Sequence, residues 1–290
     1  MSGDVKITLL AGDASTRRYY RVFSGGSTRI LMQDEPFSKD ASAIKCNRYF
    51  KELGIRVPEL YEINCAKGTI IQEDVGSVHL ESISDDDEVN RYYDEALDIM
   101  VRYQKGAKGF DVSFTKEKFM SELIMANDYY SHSKDKNVHV FFNELVDEMM
   151  AQKSMFLHRD YHSRNLMVSD GHLVVIDYQD ARTGPFTYDL ASLLIDPYRS
   201  IDPEKICRLI KSYHDKMKDV VDITYQEYER AYRLCYLQRG IKILGTYAYQ
   251  KVKKNNDNYT KYIEPSVKKV RAVVEAFPEW KDIILGAVIR

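Results

Sequence analysis

His158-Arg159-Asp160-Tyr161-His162-Ser163-Arg164-Asn165, followed twelve positions later by Asp177 at the end of Leu173-Val174-Val175-Ile176, is the stretch on which the reading of this chain turns. The apolar runs Leu166-Met167-Val168 and Leu173 to Ile176 flank Ser169-Asp170-Gly171-His172, and an Asp-Gly pair between two strands is a strong hairpin signal. Such a hairpin returns the chain on itself. Asn165 at its entrance and Asp177 at its exit then lie side by side. Taken alone, His158-x-Asp160-x-His162 also admits a metallohydrolase ligand cluster. A zinc site would need further ligands at a defined spacing, and the strand ending in Asp177 would go unexplained.

Outward from this block, the first seventy or so residues read as strands and the remainder as helices. Tyr20-Arg21-Val22-Phe23 and Thr28-Arg29-Ile30-Leu31-Met32 flank Ser24-Gly25-Gly26-Ser27, whose glycines suit a tight hairpin because both tolerate positive φ. Gly12 to Thr16 forms the loop before them. Ala43, Cys46, Phe50 and Leu53 recur at helical spacing, with Asp40 as the expected cap and Gly54 as terminator. Two short strands follow, around Leu60 to Ile63 and Thr69 to Gln72. Gln72-Glu73-Asp74-Val75-Gly76 then leaves the sheet towards a polar linker, Ser82 to Glu88, which predicts one lobe over 1–74 and a second over 75–290. In the second lobe three stripes at helical spacing read as core: Val89, Tyr92, Ala96, Ile99 and Tyr103; Phe119, Leu123 and Ala126; Phe141, Leu145 and Met149. Tyr232, Tyr236, Tyr247 and Tyr249 read as helix packing rather than as a ligand platform.

Composition narrows the function classes. With 290 residues, 44% hydrophobic and 30% charged, the chain can bury the core of a two-lobed enzyme. The apolar stretch Val5 to Leu10 is short and broken by Lys6, and no eighteen apolar residues run together, so neither a secretory signal nor a membrane span is expected. Cys46, Cys65, Cys207 and Cys235 form no Cys-x-x-Cys pair and read as reduced thiols of a cytoplasmic protein. A formal charge of -2 argues against nucleic acid as partner, and the Lys251 to Lys254 cluster reads as the solvated end of a helix. A monomer or weak homodimer without membrane partner is the expectation.

The spacing His-x-Asp-x-x-x-x-Asn is similar to the protein-kinase catalytic loop, in which the Asp meets the attacking hydroxyl and the Asn holds a metal. More specifically, Gly12-Asp13-Ala14-Ser15-Thr16-Arg17-Arg18-Tyr19-Tyr20, His158 to Val168, and Ile176-Asp177-Tyr178-Gln179-Asp180-Ala181 through Gly184-Pro185 to Tyr188-Asp189-Leu190 resemble the aminoglycoside phosphotransferase and choline kinase superfamily. Within it, the resemblance is to the bacterial branch of cell-wall amino-sugar kinases, which phosphorylate the anomeric hydroxyl of N-acetylmuramate and N-acetylglucosamine in peptidoglycan recycling. It covers most of the first two hundred residues.

That resemblance implies an α+β, bilobal protein-kinase-like fold, with a small β-rich N-terminal lobe that binds nucleotide and a larger, mainly helical catalytic lobe. It implies ATP and Mg²⁺ as cofactors and a small-molecule sugar as substrate. Asp160 would be the catalytic base or hydroxyl-orienting group, with Asn165 and Asp177 as metal ligands. His158 would brace the loop, and Asp189 would hold it from behind. Ser15, Thr16, Arg17 and Arg18 would cover the phosphates, and the backbone of Glu73 and Val75 would meet the purine. His162, Gln179, Asp180 and Arg182 are the candidates to face the acceptor, Arg182 through a carboxylate. The strand Thr28 to Gln33 lacks the lysine that kinases place there to grip phosphate, so Arg17 or Arg18 is expected to supply that charge. A kinase for choline or an aminoglycoside, and a pseudokinase that binds nucleotide without transfer, stay open as alternatives.

Overall fold

The structure is a computed structural model that describes residues 5–10, 17–107 and 109–289. Its contacts divide the chain into two compact units. One comprises the chain to Glu95 together with Asn165–Asp180; the other comprises Ala96–Arg164 and the chain from Ala181 onward.

The first unit is built on an antiparallel sheet of β1 (Lys6–Leu9), β2 (Arg18–Ser24), β3 (Ser27–Gln33), β4 (Leu60–Asn64) and β5 (Thr69–Glu73), in the spatial order β1-β2-β3-β5-β4. The β2–β3 hairpin turns at Gly25 and Gly26, at φ 57° and 80°, the left-handed pair that a two-residue turn needs. Helix α1 (Ser42–Glu52) lays Ile44 against Met32 and Ile70 of the sheet. Its cap is not Asp40: the helix starts after Ala41 without a side-chain cap, and the exposed Asp40 carboxylate instead pairs with Lys45 at 3.5 Å. Gly54, at φ 68°, ends the chain's helical course as expected. Between β4 and β5, Gly68 is required, because a Cβ there would stand 2.1 Å from the Asp34 carbonyl oxygen.

The expected hairpin forms as β7 (Leu166–Ser169) and β8 (His172–Val175), which follow β6 (Ser154–Leu157) of the second unit, and Asp170 and Gly171 both adopt positive φ. It belongs to the first unit. Val168 N–H donates to the Val78 carbonyl and Val175 N–H to that of Arg56, at 2.8 and 2.9 Å, and Met167 and Val174 bury against Val75. The partition therefore differs from a division after Asp74. Nor is Ser82 to Glu88 a linker throughout, since Asp86, Asp87 and Glu88 form the first turn of α2 (Asp86–Gly106), where carboxylates favour a helix N-terminus.

In the second unit, β6 pairs with β9 (Arg182–Pro185), and the remainder is helical: α3 (Lys116–Ala126), α4 (Asn137–Met150), α5 (Tyr188–Leu194), α6 (Pro203–Met217), α7 (Tyr225–Lys254) and α8 (Ile263–Val274), with a short C-terminal turn Lys281–Ile283. The three expected stripes are buried. α7 opens on a capping box between Thr224 and Glu227, ends at an exposed run of lysines, and is buried along much of its length. Gly245 lets α7 approach α3 closely, as its built Cβ would lie 2.5 Å from Ala126 Cα. Among the described residues no helix is long and apolar enough to cross a membrane, and the four cysteines are free.

Candidate active site

In the second unit, the chain leaving β6 is turned by a buried carboxylate. Asp189, in the first turn of α5, accepts the N–H of His158 at 2.6 Å, the N–H of Arg159 at 2.9 Å and the Tyr103 hydroxyl at 2.6 Å. Two successive amides on one carboxylate impose a sharp bend, and Arg159 takes φ 83° there. Burial pushes the Asp189 carboxyl up in pKa, against the pull of His158 and these donors. Further along, buried Asp196 accepts Ser163 N–H and Tyr198 N–H, both at 2.8 Å. Lys269 of α8 fixes that second anchor by donating to the carbonyls of Asp196 and Arg199. His158 is fully buried with its ring edge-on to Tyr161, in keeping with a bracing role.

Between the anchors stands Asp160, its side chain 30% exposed. Arg239 Nη2 lies 3.3 Å and Lys242 Nζ 3.5 Å from its Oδ1, and Arg159 Nε 3.8 Å from Oδ2. Burial would raise the Asp160 pKa, but Lys242, Arg159 and Arg239 together hold it well below the usual carboxylate range. Burial lowers the pKa of His162, so its imidazole is neutral near pH 7. Burial also lowers that of Lys242, partly offset by Asp160 and Glu122. Arg239 donates to the Arg159 carbonyl at 2.7 Å and sits 4.8 Å over the Tyr188 ring. Glu122 of α3, 5% exposed, is the second carboxylate of this cluster.

These groups line a cavity of about 350 Å³ within the second unit. Its charged lining residues are Lys118, Glu122, Arg159, Asp160, Arg239 and Lys242, and Met125, Pro197, Tyr198, Ile243 and Tyr247 add apolar surface. Glu122, Arg239 and Lys242 escaped sequence reading. Their only signal there is charge among the buried residues of two helices, Glu122 on α3 and Arg239 and Lys242 on α7. Of the four tyrosines read as packing, Tyr232 and Tyr236 pair with each other and Tyr249 packs on Tyr129, but Tyr247 lines the cavity while stacking on Tyr259.

The first unit holds the other half of the expected residues. Ile176 N–H donates to the Asn165 carbonyl at 3.0 Å, and Asn165 Nδ2 stands 3.4 Å from Asp177 Oδ2. Asp177 adopts φ 60°. Gln179 Nε2 donates to Asp177 Oδ1 at 2.6 Å, and Tyr178 is fixed by Asn47 of α1, whose Nδ2 donates to its hydroxyl at 2.6 Å and to the Pro58 carbonyl at 2.9 Å. Asn47 was not anticipated. The Asn165 amide oxygen and Asp177 carboxylate are hard oxygen donors of the kind Mg²⁺ takes. Among the described residues no group of three or more His, Cys, Asp or Glu is placed to hold a metal.

Of the residues expected at the nucleotide, Ser15 and Thr16 lie outside the described residues. Arg17 is paired with Asp34 at 3.0 Å, next to Tyr19, whose pKa burial raises and Asp177 raises further. Arg18, Gln33, Asp34 and Glu35 line a smaller cavity of about 220 Å³. The Glu73 amide is committed to the Glu59 carbonyl at 2.8 Å, and its carboxylate to the Arg56 guanidinium, so its carbonyl is what it can offer. Arg21, also unanticipated, fastens the segment after β5 through Asp74 at 2.7 Å and the Gly76 carbonyl at 2.6 Å.

On the acceptor side, His162 lines the cavity of the second unit. Arg182 does not; its guanidinium lies 4.9 Å over the Phe114 ring. Gln179 and Asp180 belong to the first unit, where Asp180 is exposed.

Comparison with known proteins gives these residues a context. The sequence model described as phosphotransferase enzyme family matches residues 6–228. An N-acetylmuramate/N-acetylglucosamine kinase of Neisseria meningitidis is 26% identical over 95% of this chain and 88% of its own length. One from Pseudomonas aeruginosa is 26% identical over 82% and 75%. Among solved structures, a choline kinase from Streptococcus pneumoniae superposes with a TM-score of 0.66 at 14% identity, covering 93% of this chain and 94% of that one. An aminoglycoside phosphotransferase in complex with ADP and hygromycin B gives 0.60 at 16%, covering 94% and 95%. At such identities the structural likeness is one of fold, the α+β kinase-like fold expected from the sequence.

Proposed function

Because this chain belongs to the phosphotransferase enzyme family, we propose that it transfers the γ-phosphate of ATP to the anomeric hydroxyl of an N-acetylated amino sugar, N-acetylmuramate or N-acetylglucosamine. The observation that carries the acceptor class is the cavity around Asp160. Its lining has four cations against two carboxylates, with His162 neutral, so it disfavours the cationic acceptors choline and aminoglycosides. Tyr198 and Tyr247, which line the same cavity, would offer aromatic surface to the C–H face of a sugar ring. The names of the relatives from Neisseria and Pseudomonas agree with that chemistry.

In this reading the acceptor oxygen attacks phosphorus, the bond to the β-phosphate oxygen breaks, and the hydroxyl proton passes to Asp160. A carboxylate held so far down in pKa is a weak base. It serves first to orient the hydroxyl and takes the proton late, which a loose phosphoryl-transfer transition state permits and an acidic anomeric hydroxyl eases. Arg239 and Lys242 keep it ionised. Asn165 and Asp177 would hold Mg²⁺, which when bound supplies charge neutralisation for the nucleotide phosphates. The Glu73 carbonyl and Val75 amide would receive the purine, and Arg17 or Arg18 would face the phosphates.

The test is Mg²⁺-dependent transfer of labelled γ-phosphate from ATP to N-acetylmuramate, N-acetylglucosamine, choline and an aminoglycoside, with Asp160→Asn protein as control. Sugar 1-phosphate formed only by the wild type supports the reading. Transfer to choline or the aminoglycoside alone, or to nothing while ATP still binds, overturns it.

A further inference from the structure

The two lysines of the second unit's cavity stand at ion-pair distance from its carboxylates without a hydrogen bond to either. Glu122 Oε1 is approached by Lys118 Nζ at 3.6 Å, Lys242 Nζ at 3.8 Å and Arg159 Nη2 at 3.9 Å, all beyond hydrogen-bonding distance, and that oxygen has no hydrogen-bond partner among the described residues. Lys242 Nζ is 3.5 Å from Asp160 Oδ1. The two lysine ammoniums therefore converge on one carboxylate oxygen at ion-pair distance, neither close enough to it for a hydrogen bond. Glu122 itself is tethered elsewhere, its Oε2 accepting Gln238 Nε2 at 3.1 Å. On the same cavity lies Ser192, 1% exposed, whose hydroxyl also meets no partner among the described residues. A cavity with surplus positive charge is completed by an anion.

We infer that this cavity selects an acceptor that bears a carboxylate over its neutral counterpart, with Lys118 and Lys242 as the groups that meet the carboxylate. This rests on the amino-sugar reading above and goes beyond it by assigning the discrimination to residues of α3 and α7. The role expected of Arg182 passes to the lysines, because Arg182 is laid against Phe114. Shared placement about one Glu122 oxygen puts both ammoniums within reach of a single carboxylate. Lys242 is 13% exposed and Lys118 41% exposed. The Ser192 hydroxyl supplies a further hydrogen bond to the sugar. A nucleotide phosphate is the other anion these lysines could serve, and the test separates the two.

The experiment compares kcat/KM for N-acetylmuramate with that for N-acetylglucosamine, and KM for ATP, in the wild type, Lys118→Gln and Lys118→Arg. Lys118 is exposed enough that neither substitution endangers folding. The wild type is expected to favour the acid at low ionic strength, with the preference shrinking as salt is added. Lys118→Gln is expected to lower the acid-to-neutral ratio about tenfold, a change of about 1.4 kcal/mol, and Lys118→Arg to restore most of it. Equal use of both sugars by the wild type overturns the inference and leaves the amino-sugar reading standing. A rise in KM for ATP in Lys118→Gln, with the acid-to-neutral ratio unchanged, assigns the lysine to phosphate and overturns it as well. Transfer to neither sugar is the distinct failure of the underlying reading.

Discussion

Asp160 is held as an anion by three cations, and the amide of Asp160→Asn would keep its shape while losing both the charge and the proton acceptor. We expect kcat to fall by roughly 10²- to 10⁴-fold, the usual range for a lost proton-transfer group, with nucleotide affinity retained. Equal turnover by the variant, read in the labelled-phosphate assay, would remove Asp160 from the chemistry. His162 sets a pH dependence of a different kind. Burial lowers its pKa below the ordinary value of 6.5, against Asp196 and Asp160, which face it and raise it, while Arg239 and His158 lower it further. A base whose folded pKa is depressed stabilises the fold fully above its unfolded value and loses that contribution as pH falls through the folded value, because the unfolded chain binds the proton more readily. Wild-type Tm should therefore drop on acidification below about pH 6.5, and His162→Gln should drop less steeply over the same window. Parallel Tm-against-pH curves for the two proteins would contradict the assignment.

At the scale of elements, the close approach of α7 to α3 decides whether Glu122 and Lys242 can share a cavity at all. Gly245→Val would push side-chain atoms into the Ala126 backbone, an overpacking cost of about 1–3 kcal/mol, and the helices must part to relieve it. Lower Tm together with a raised KM for the sugar is the expected outcome. Gly286→Ala is the matched control, since nothing lies within 4 Å of its built Cβ. Unchanged sugar KM in Gly245→Val would mean that the cavity does not depend on that contact. The same contact explains what the sequence could and could not reveal. The β7–β8 hairpin was readable because Asp170-Gly171 is a local signal within it, whereas Asp189, thirty-one positions from the His158 amide it accepts, came from the family resemblance alone. Arg239 and Lys242 were not readable. They stand about eighty positions from Asp160, on a helix buried on most sides, and only tertiary packing turns them inward. Asp40 failed as a cap for a smaller reason: α1 begins one residue late, leaving the carboxylate to Lys45.

At the scale of the whole chain, the residues expected to act are distributed over the two compact units. Asn165 and Asp177, proposed above as metal ligands, lie in the first with Gln179, Tyr178 and Asn47 bonded around them. Asp160 and the charged cavity are assembled inside the second. This division near Asn165 was not legible beforehand, because the eight-residue block is continuous and its last member joins a hairpin that hydrogen-bonds to Val78 and Arg56. Binding at one unit should consequently survive damage to the other. Ligand that binds only the folded state raises Tm by mass action, about 2.7 kcal/mol at a hundredfold excess over Kd, so thermal shifts read the two sites separately. Asp177→Ala should lose the Mg²⁺-dependent shift produced by a non-hydrolysable ATP analogue and keep the shift produced by N-acetylmuramate. Asp160→Asn should keep the nucleotide shift. If Asp177→Ala still responds to the Mg²⁺-nucleotide as the wild type does, Asp177 is not the metal carboxylate. If it loses the sugar shift too, the two sites are coupled and the assignment of roles by unit fails.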